Sequence, residues 1–279
     1  MSSLTINTEV GGYPRTAFVR LADAPRIAVL LLHPTASSGK AMAAGGGWLR
    51  QADLSLLAPD GLNLHPDLER STTNPRCWSS GEGPTVGRAV DDVGFIDHLL
   101  DDFIAKLPAG VPLILVGHSN GCALGFRMLA TSRHRERFAA AALYAAPWAA
   151  EKSGLGIPVL YMSGDADPIR PFHGDVDVVT PWFTLRASPV MDTVHACLAS
   201  LDVPDQVPKV DPQRQFTAMR WEAGRAAFEF RILHGQGHHW PTAEPINEQL
   251  EAVVGPNNVQ LNATVMALQF AEKHLQLAA

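Results

Sequence analysis

Cysteine is scarce in this chain: Cys77, Cys122 and Cys197 are far apart and odd in number. No CxxC pair is present, so zinc-ribbon and dithiol redox motifs are excluded and three free thiols are expected. Basic residues are also few. The 22 Lys and Arg are outnumbered by 28 Asp and Glu, for a net charge of -6, and they form no cluster able to follow a phosphate backbone. No nucleic-acid partner is expected. No apolar run approaches the ~20 residues needed to cross a bilayer, and the N-terminal stretch has no basic start followed by an apolar core. Neither a membrane partner nor export is therefore expected, and the location expected is cytoplasmic. Internal repeats and low-complexity segments are lacking as well.

What the chain does contain is core. Its 279 residues are 46% hydrophobic and 18% charged, enough to bury a sizeable interior as one domain spanning residues 1–279. Short apolar runs recur: RTAFVRLA, IAVLLLH, SLLAPDG, LILVGHS, AAALYAAP, PVLYMSG and AFEFRILHG. Such continuous runs, each ended by a polar or turn-forming residue, suit strands of a mostly parallel sheet buried on both faces. Between them lie helical patterns. Asp91 is placed as an N-cap, followed by Ile96, Leu99, Leu100, Phe103 and Leu107 along one stripe, and NATVMALQFAEKHLQ closes the chain as a helix. The alternation predicts an α/β fold with helices flanking the sheet. Residues 60–89 and 165–187 have little regular pattern; as long segments containing Trp they are read as cleft loops.

The stretch GHSNG, residues 117–121, follows the strand LILV and opens an amphipathic helix. This is the context in which G-x-S-x-G forms a nucleophile elbow. The tight turn forces Ser119 into a strained conformation, and Gly117 and Gly121 let strand and helix come close. The helix N-terminus offers N–H groups to a developing anion. A serine hydroxyl is a weak nucleophile, so it needs a general base and a carboxylate to orient that base. Both follow in the order Ser, acid, His. PVLYMSGDADPIRP offers Asp165 and Asp167 after a strand; AFEFRILHGQGHHWP offers His234, His238 and His239 after another. The three imidazoles have no H-E-x-x-H frame, and a metal reading would leave Ser119 unused, so no metal is expected.

Together these segments resemble the polyhydroxybutyrate depolymerase and feruloyl esterase group of α/β-hydrolases. The similarity runs through IAVLLLHPTASSG, LLAPDG, CWSSGEG with VDDVGFIDHLLD, GHSNG, GDADPIRPFHG, HGQGHHWP and LNATVMALQFAEKH. It implies the α/β-hydrolase fold. Matched residue by residue, it implies Asp167, directly before Pro168, as the acid, and His238, two residues before Trp240, as the base. Where that group has His-Gly at its oxyanion loop, this chain has His33-Pro34, and proline has no N–H. The implied oxyanion donors are therefore the amides of Thr35 and Asn120, with the Thr35 hydroxyl as a third.

The implied activity is hydrolysis of a small or oligomeric ester, hydroxyacyl or aromatic, through an acyl-enzyme and without a cofactor. Trp78, Phe172, Trp182, Trp240 and His118 are the expected substrate contacts. The connector WAAEKSGLGI is too short for a separate cap domain, which leaves selection to the long loops. Amide, peptide or thioester hydrolysis on the same fold is the alternative, and a non-catalytic ligand-binding hydrolase fold is the other.

Overall fold

The computed structural model describes residues 2–81, 85–148, 152–154, 156–223 and 226–275. Glu82 and Gly83 of the CWSSGEG stretch, and Ala149, Ala150, Glu151 and Leu155 of the short connector, lie outside the described residues. The chain forms two compact units, one up to Ala139 and the other made of Ala140–Trp148 and the residues from Lys152 onward.

The first unit begins with a hairpin, β1 (Ser2–Val10) and β2 (Tyr13–Leu21), followed by β3 (Ile27–Leu32), α1 (Gly39–Gly45), β4 (Leu54–Pro59), the short pair β5 (Leu62–Asn63) and β6 (Arg76–Cys77), α2 (Asp92–Ala105), β7 (Leu113–His118) and α3 (Asn120–Thr131). Strand order is β1-β2-β4-β3-β7. The trio β4-β3-β7 is parallel, with Leu30 opposite both Leu57 and Leu115, while β2 joins β4 antiparallel. Every residue of β3, β4 and β7 is buried, as their uninterrupted apolar runs require. The Asp91 side chain accepts the Gly94 N–H at 2.8 Å, capping α2, and Phe95, Ile96, Leu99, Leu100 and Phe103 form its buried stripe.

The second unit is entered along β8 (Phe138–Tyr144) and contains β9 (Val159–Gly164), β10 (Val176–Val179), β11 (Thr184–Ala187), α4 (Val190–Ser200), β12 (Lys209–Pro212), β13 (Phe216–Ala223), β14 (Ala226–Leu233), α5 (Glu248–Val254) and α6 (Ala263–Leu275). Its strand order is β8-β9-β14-β13-β12. Here β8, β9 and β14 run parallel, and β13 and β12 continue antiparallel.

Two segments expected to lack regular structure hold small hairpins. Within residues 60–89, β5 pairs with β6; within 165–187, β10 pairs with β11. Their strands have only two and four residues, too short for an alternating pattern to stand out. The outer strand β1 was likewise hard to read, because it is exposed or half-buried along its whole length and has no apolar run. All three cysteines are buried and none forms a disulfide. No helix among the described residues is long and apolar enough to cross a membrane.

Candidate active site

In the first unit, β7 ends at His118 and α3 begins at Asn120, leaving Ser119 alone in the turn. Its backbone sits at φ 53° and ψ -125°, a conformation that costs a non-glycine residue about 1–3 kcal/mol and persists only when its surroundings enforce it. The flanking glycines show what enforces it. A Cβ on Gly117 would lie 2.4 Å from the Gly121 carbonyl oxygen, and one on Gly121 would lie 2.2 Å from that of Leu32. Any side chain at either position would drive strand and helix apart. The first turn of α3 is thereby seated against the end of β3.

Beyond β3 the chain runs through His33, Pro34 and Thr35. His33 is fully buried, and its Nδ1 donates to the Pro34 carbonyl at 2.7 Å while its Nε2 accepts the Gly61 N–H at 2.9 Å. That pattern requires the neutral ring, and burial holds its pKa down to about 4. The Trp78 indole donates to the His33 carbonyl at 2.9 Å and its ring lies against the imidazole, with centroids 4.7 Å apart. Ala36, at φ 66°, donates its N–H to Arg76. Pro34 has no N–H, and the Thr35 N–H donates to no acceptor among the described residues. The Asn120 N–H belongs to the first turn of α3, where no intrahelical acceptor exists.

Asn120 has a second role that the sequence did not suggest. Its side-chain oxygen accepts the Trp78 N–H at 2.5 Å, and its amide nitrogen donates to the Trp78 carbonyl at 3.2 Å and to Ser80 Oγ at 3.0 Å. The same loop is held by Asp92, which accepts the Ser79 N–H at 2.6 Å and pairs at 2.5 Å with Arg15, both carboxylate and guanidinium being buried. A short side-chain amide beside the nucleophile thus ties the elbow to the loop after β6.

In the second unit, Asp167 follows β9 and His238 follows β14. Asp167 Oδ2 and His238 Nδ1 are 2.7 Å apart and nearly solvent-free. The other carboxylate oxygen accepts the N–H groups of Ile169 at 2.8 Å and Arg170 at 2.7 Å, so both oxygens are engaged. The loop carrying His238 is pinned by its own backbone: Gly237 N–H donates to Pro256 at 2.6 Å and His238 N–H to Val254 at 2.5 Å. The Tyr144 hydroxyl donates to the Gly237 carbonyl. Burial and the nearby Asp167 carboxylate push the Tyr144 pKa well up, keeping it a neutral donor.

The remaining acid and histidines have other places. Asp165 pairs with His234 at 3.1 Å and accepts the Gly235 N–H at 2.7 Å, while His234 Nε2 meets Thr217 Oγ1 at 3.1 Å; Asp165 is exposed and His234 half-buried. Burial lowers the pKa of His239, as does the neighbouring His238. Of the expected substrate contacts, Trp78 is fully buried and Trp240 nearly so, its indole donating to Thr264 Oγ1 at 3.1 Å. Each is engaged in packing. His118 is also buried at the end of β7. Phe172, stacked on Phe230 with centroids 6.4 Å apart, and Trp182, in the turn between β10 and β11, are half-buried.

The solved structure of TT1662 from Thermus thermophilus is similar over 100% of both chains, with a TM-score of 0.55 and 18% sequence identity. The fold is the α/β-hydrolase fold. Lesser likenesses include esterase PE8, over 80% of this chain and 90% of that one with a TM-score of 0.42 and 21% identity. A cold-adapted esterase from an Arctic intertidal metagenomic library matches over 69% of this chain and 77% of that one, with a TM-score of 0.45 and 16% identity. At 18% identity the likeness to TT1662 speaks to fold alone. No protein-family model and no curated protein matches the chain, so the resemblance to the polyhydroxybutyrate depolymerase and feruloyl esterase group rests on the motifs themselves.

Proposed function

We infer that the protein is a serine hydrolase acting on carboxylic esters, with Ser119 as nucleophile, His238 as general base and Asp167 as its orienting acid. The observation that carries this reading is the strained backbone of Ser119 at a strand-to-helix turn closed by two obligatory glycines. The buried Asp167–His238 pair supplies the matching acid and base chemistry, in the chain order expected on this fold.

In this mechanism His238 uses Nε2 to take the Ser119 proton as the hydroxyl oxygen attacks the ester carbonyl. Nδ1–H remains on Asp167, whose carboxylate stabilises the imidazolium. The oxyanion accepts N–H bonds from Thr35 and Asn120, each worth roughly 3 to 4 kcal/mol in the transition state. His238 then returns the proton to the departing alcohol. Water hydrolyses the acyl-enzyme by the same steps. Phe172 and Trp182 are the aromatic groups proposed to meet the substrate, since Trp78 and Trp240 are occupied in packing.

The test is Ser119→Ala with p-nitrophenyl esters, alongside fluorophosphonate labelling of the unsubstituted protein. Expected are loss of turnover, an unchanged circular dichroism spectrum and stoichiometric labelling at Ser119. Turnover near the original level in the variant rules the assignment out.

A further inference from the structure

Three arginines are buried among the described residues: Arg15, Arg20 and Arg170, at 2%, 4% and 5% exposure. Two have an evident electrostatic answer. Arg15 pairs with Asp92. Arg20 fans its guanidinium onto the carbonyls of Trp48, Leu49, Gln51 and Leu54. Arg170 has neither arrangement. Its Nη2 touches only the Ser188 carbonyl and hydroxyl, each at the outer limit of 3.5 Å; its Nε is sealed from solvent without an acceptor, as are those of Arg15 and Arg20, so the difference lies in the Nη contacts. Among the described residues its guanidinium meets no carboxylate.

A buried guanidinium cannot shed its proton as a lysine or histidine would, so its desolvation has to be offset by a partner or left uncompensated. The nearest acid in sequence is no such partner. Asp167 has one oxygen on His238 and the other on backbone amides, one of them that of Arg170 itself. Arg170 therefore sits in the short turn that fixes the acid of the dyad, with donor capacity unspent.

We propose that Arg170, with the Ser188 hydroxyl beside it, is a recognition site for a carboxylate carried by the substrate. This rests on the ester-hydrolase reading and narrows it to esters bearing a free acid group, such as half-esters of dicarboxylic acids. The chemistry favours a carboxylate over a phosphate. One guanidinium neutralises one negative charge, and its planar fork matches a carboxylate in geometry. A phosphate dianion would leave a charge unmatched in a buried place.

The experiment has a binding arm and a kinetic arm. In the first, thermal unfolding is followed with glutarate, with chloride at equal ionic strength and with inorganic phosphate, for the unsubstituted protein, Arg170→Met and Arg170→Lys. Glutarate is expected to raise Tm in a concentration-dependent way in the unsubstituted protein, less in the Lys variant and not in the Met variant. In the second, kcat/KM is compared for mono-p-nitrophenyl glutarate and p-nitrophenyl butyrate. The acidic-to-neutral ratio is expected to fall about 10- to 100-fold in Arg170→Met, the size of a lost charge-assisted hydrogen bond, with partial rescue by Lys. An absence of glutarate stabilisation in the unsubstituted protein overturns the proposal, as does stronger stabilisation by phosphate through Arg170. An equal loss on both esters makes Arg170 a structural strut and also overturns it. If Arg170→Met does not fold, the glutarate titration and the Lys variant still decide. Glutarate binding through Arg170 without hydrolysis of either ester would support the site and remove the esterase reading.

Discussion

His238 and Asp167 share a 2.7 Å contact while the second carboxylate oxygen of Asp167 is held by two backbone amides. The imidazole therefore has a fixed ring orientation and a fixed tautomer, with the proton on Nδ1. Asp167→Asn offers an amide that can reverse that tautomer while nearly preserving shape. The expected result is a fall in kcat of about 10³- to 10⁴-fold with little change in KM, measured on a p-nitrophenyl ester. A loss below tenfold would count against the role given to Asp167.

The buried His33 makes stability depend on pH. Its pKa is about 4 in the folded chain against 6.5 for an unperturbed histidine, so below pH 6.5 the unfolded chain binds more protons. The stabilisation is fully present above pH 6.5 and is lost as pH falls toward 4, with a ceiling of about 3 kcal/mol. Urea midpoints between pH 7 and pH 4 should fall less steeply in His33→Asn than in the unsubstituted protein. Parallel slopes would assign the acid sensitivity elsewhere.

The elbow glycines should tolerate no side chain. Gly121→Ala places a methyl group 2.2 Å from the Leu32 carbonyl, with backbone on both sides of the clash. A loss of stability above about 3 kcal/mol, or failure to accumulate folded protein, is expected. Gly45→Ala is the control, because nothing lies within 4 Å of its Cβ position; it should shift stability by less than about 1 kcal/mol. Chemical denaturation of both variants makes the comparison.

The Arg15–Asp92 pair supports the loop after β6, since Asp92 also accepts the Ser79 N–H. Asp92→Asn leaves Arg15 buried without a counter-charge. A destabilisation of about 3–5 kcal/mol by urea unfolding is expected. If instead the variant is as stable as the original, the pair contributes no net stabilisation.

Much of this could be read along the chain. The runs IAVLLL and LILVGH are buried strands, Asp91 caps its helix, and Ser119 stands between strand and helix, because each signal lies within a few adjacent residues. The weakly patterned elements were less legible: β1 has no buried face, and the hairpins β5–β6 and β10–β11 are too short to show a period. Asn120 shows another limit. Its side-chain grip on Trp78 and Ser80 spans about 40 positions, and no local pattern announces it.

Sequence alone determined where strands, caps and the serine turn must fall, since hydrophobic period and glycine geometry act over short distances. Only the tertiary structure decided which partner each polar group found. Asp165 took His234 while Asp167 took His238, Trp78 and Trp240 went into packing, and Arg170 was buried without a carboxylate among the described residues. Those outcomes depend on how distant loops meet after folding. Two aspartates two residues apart are alike in sequence until the strands beneath them set what each one faces.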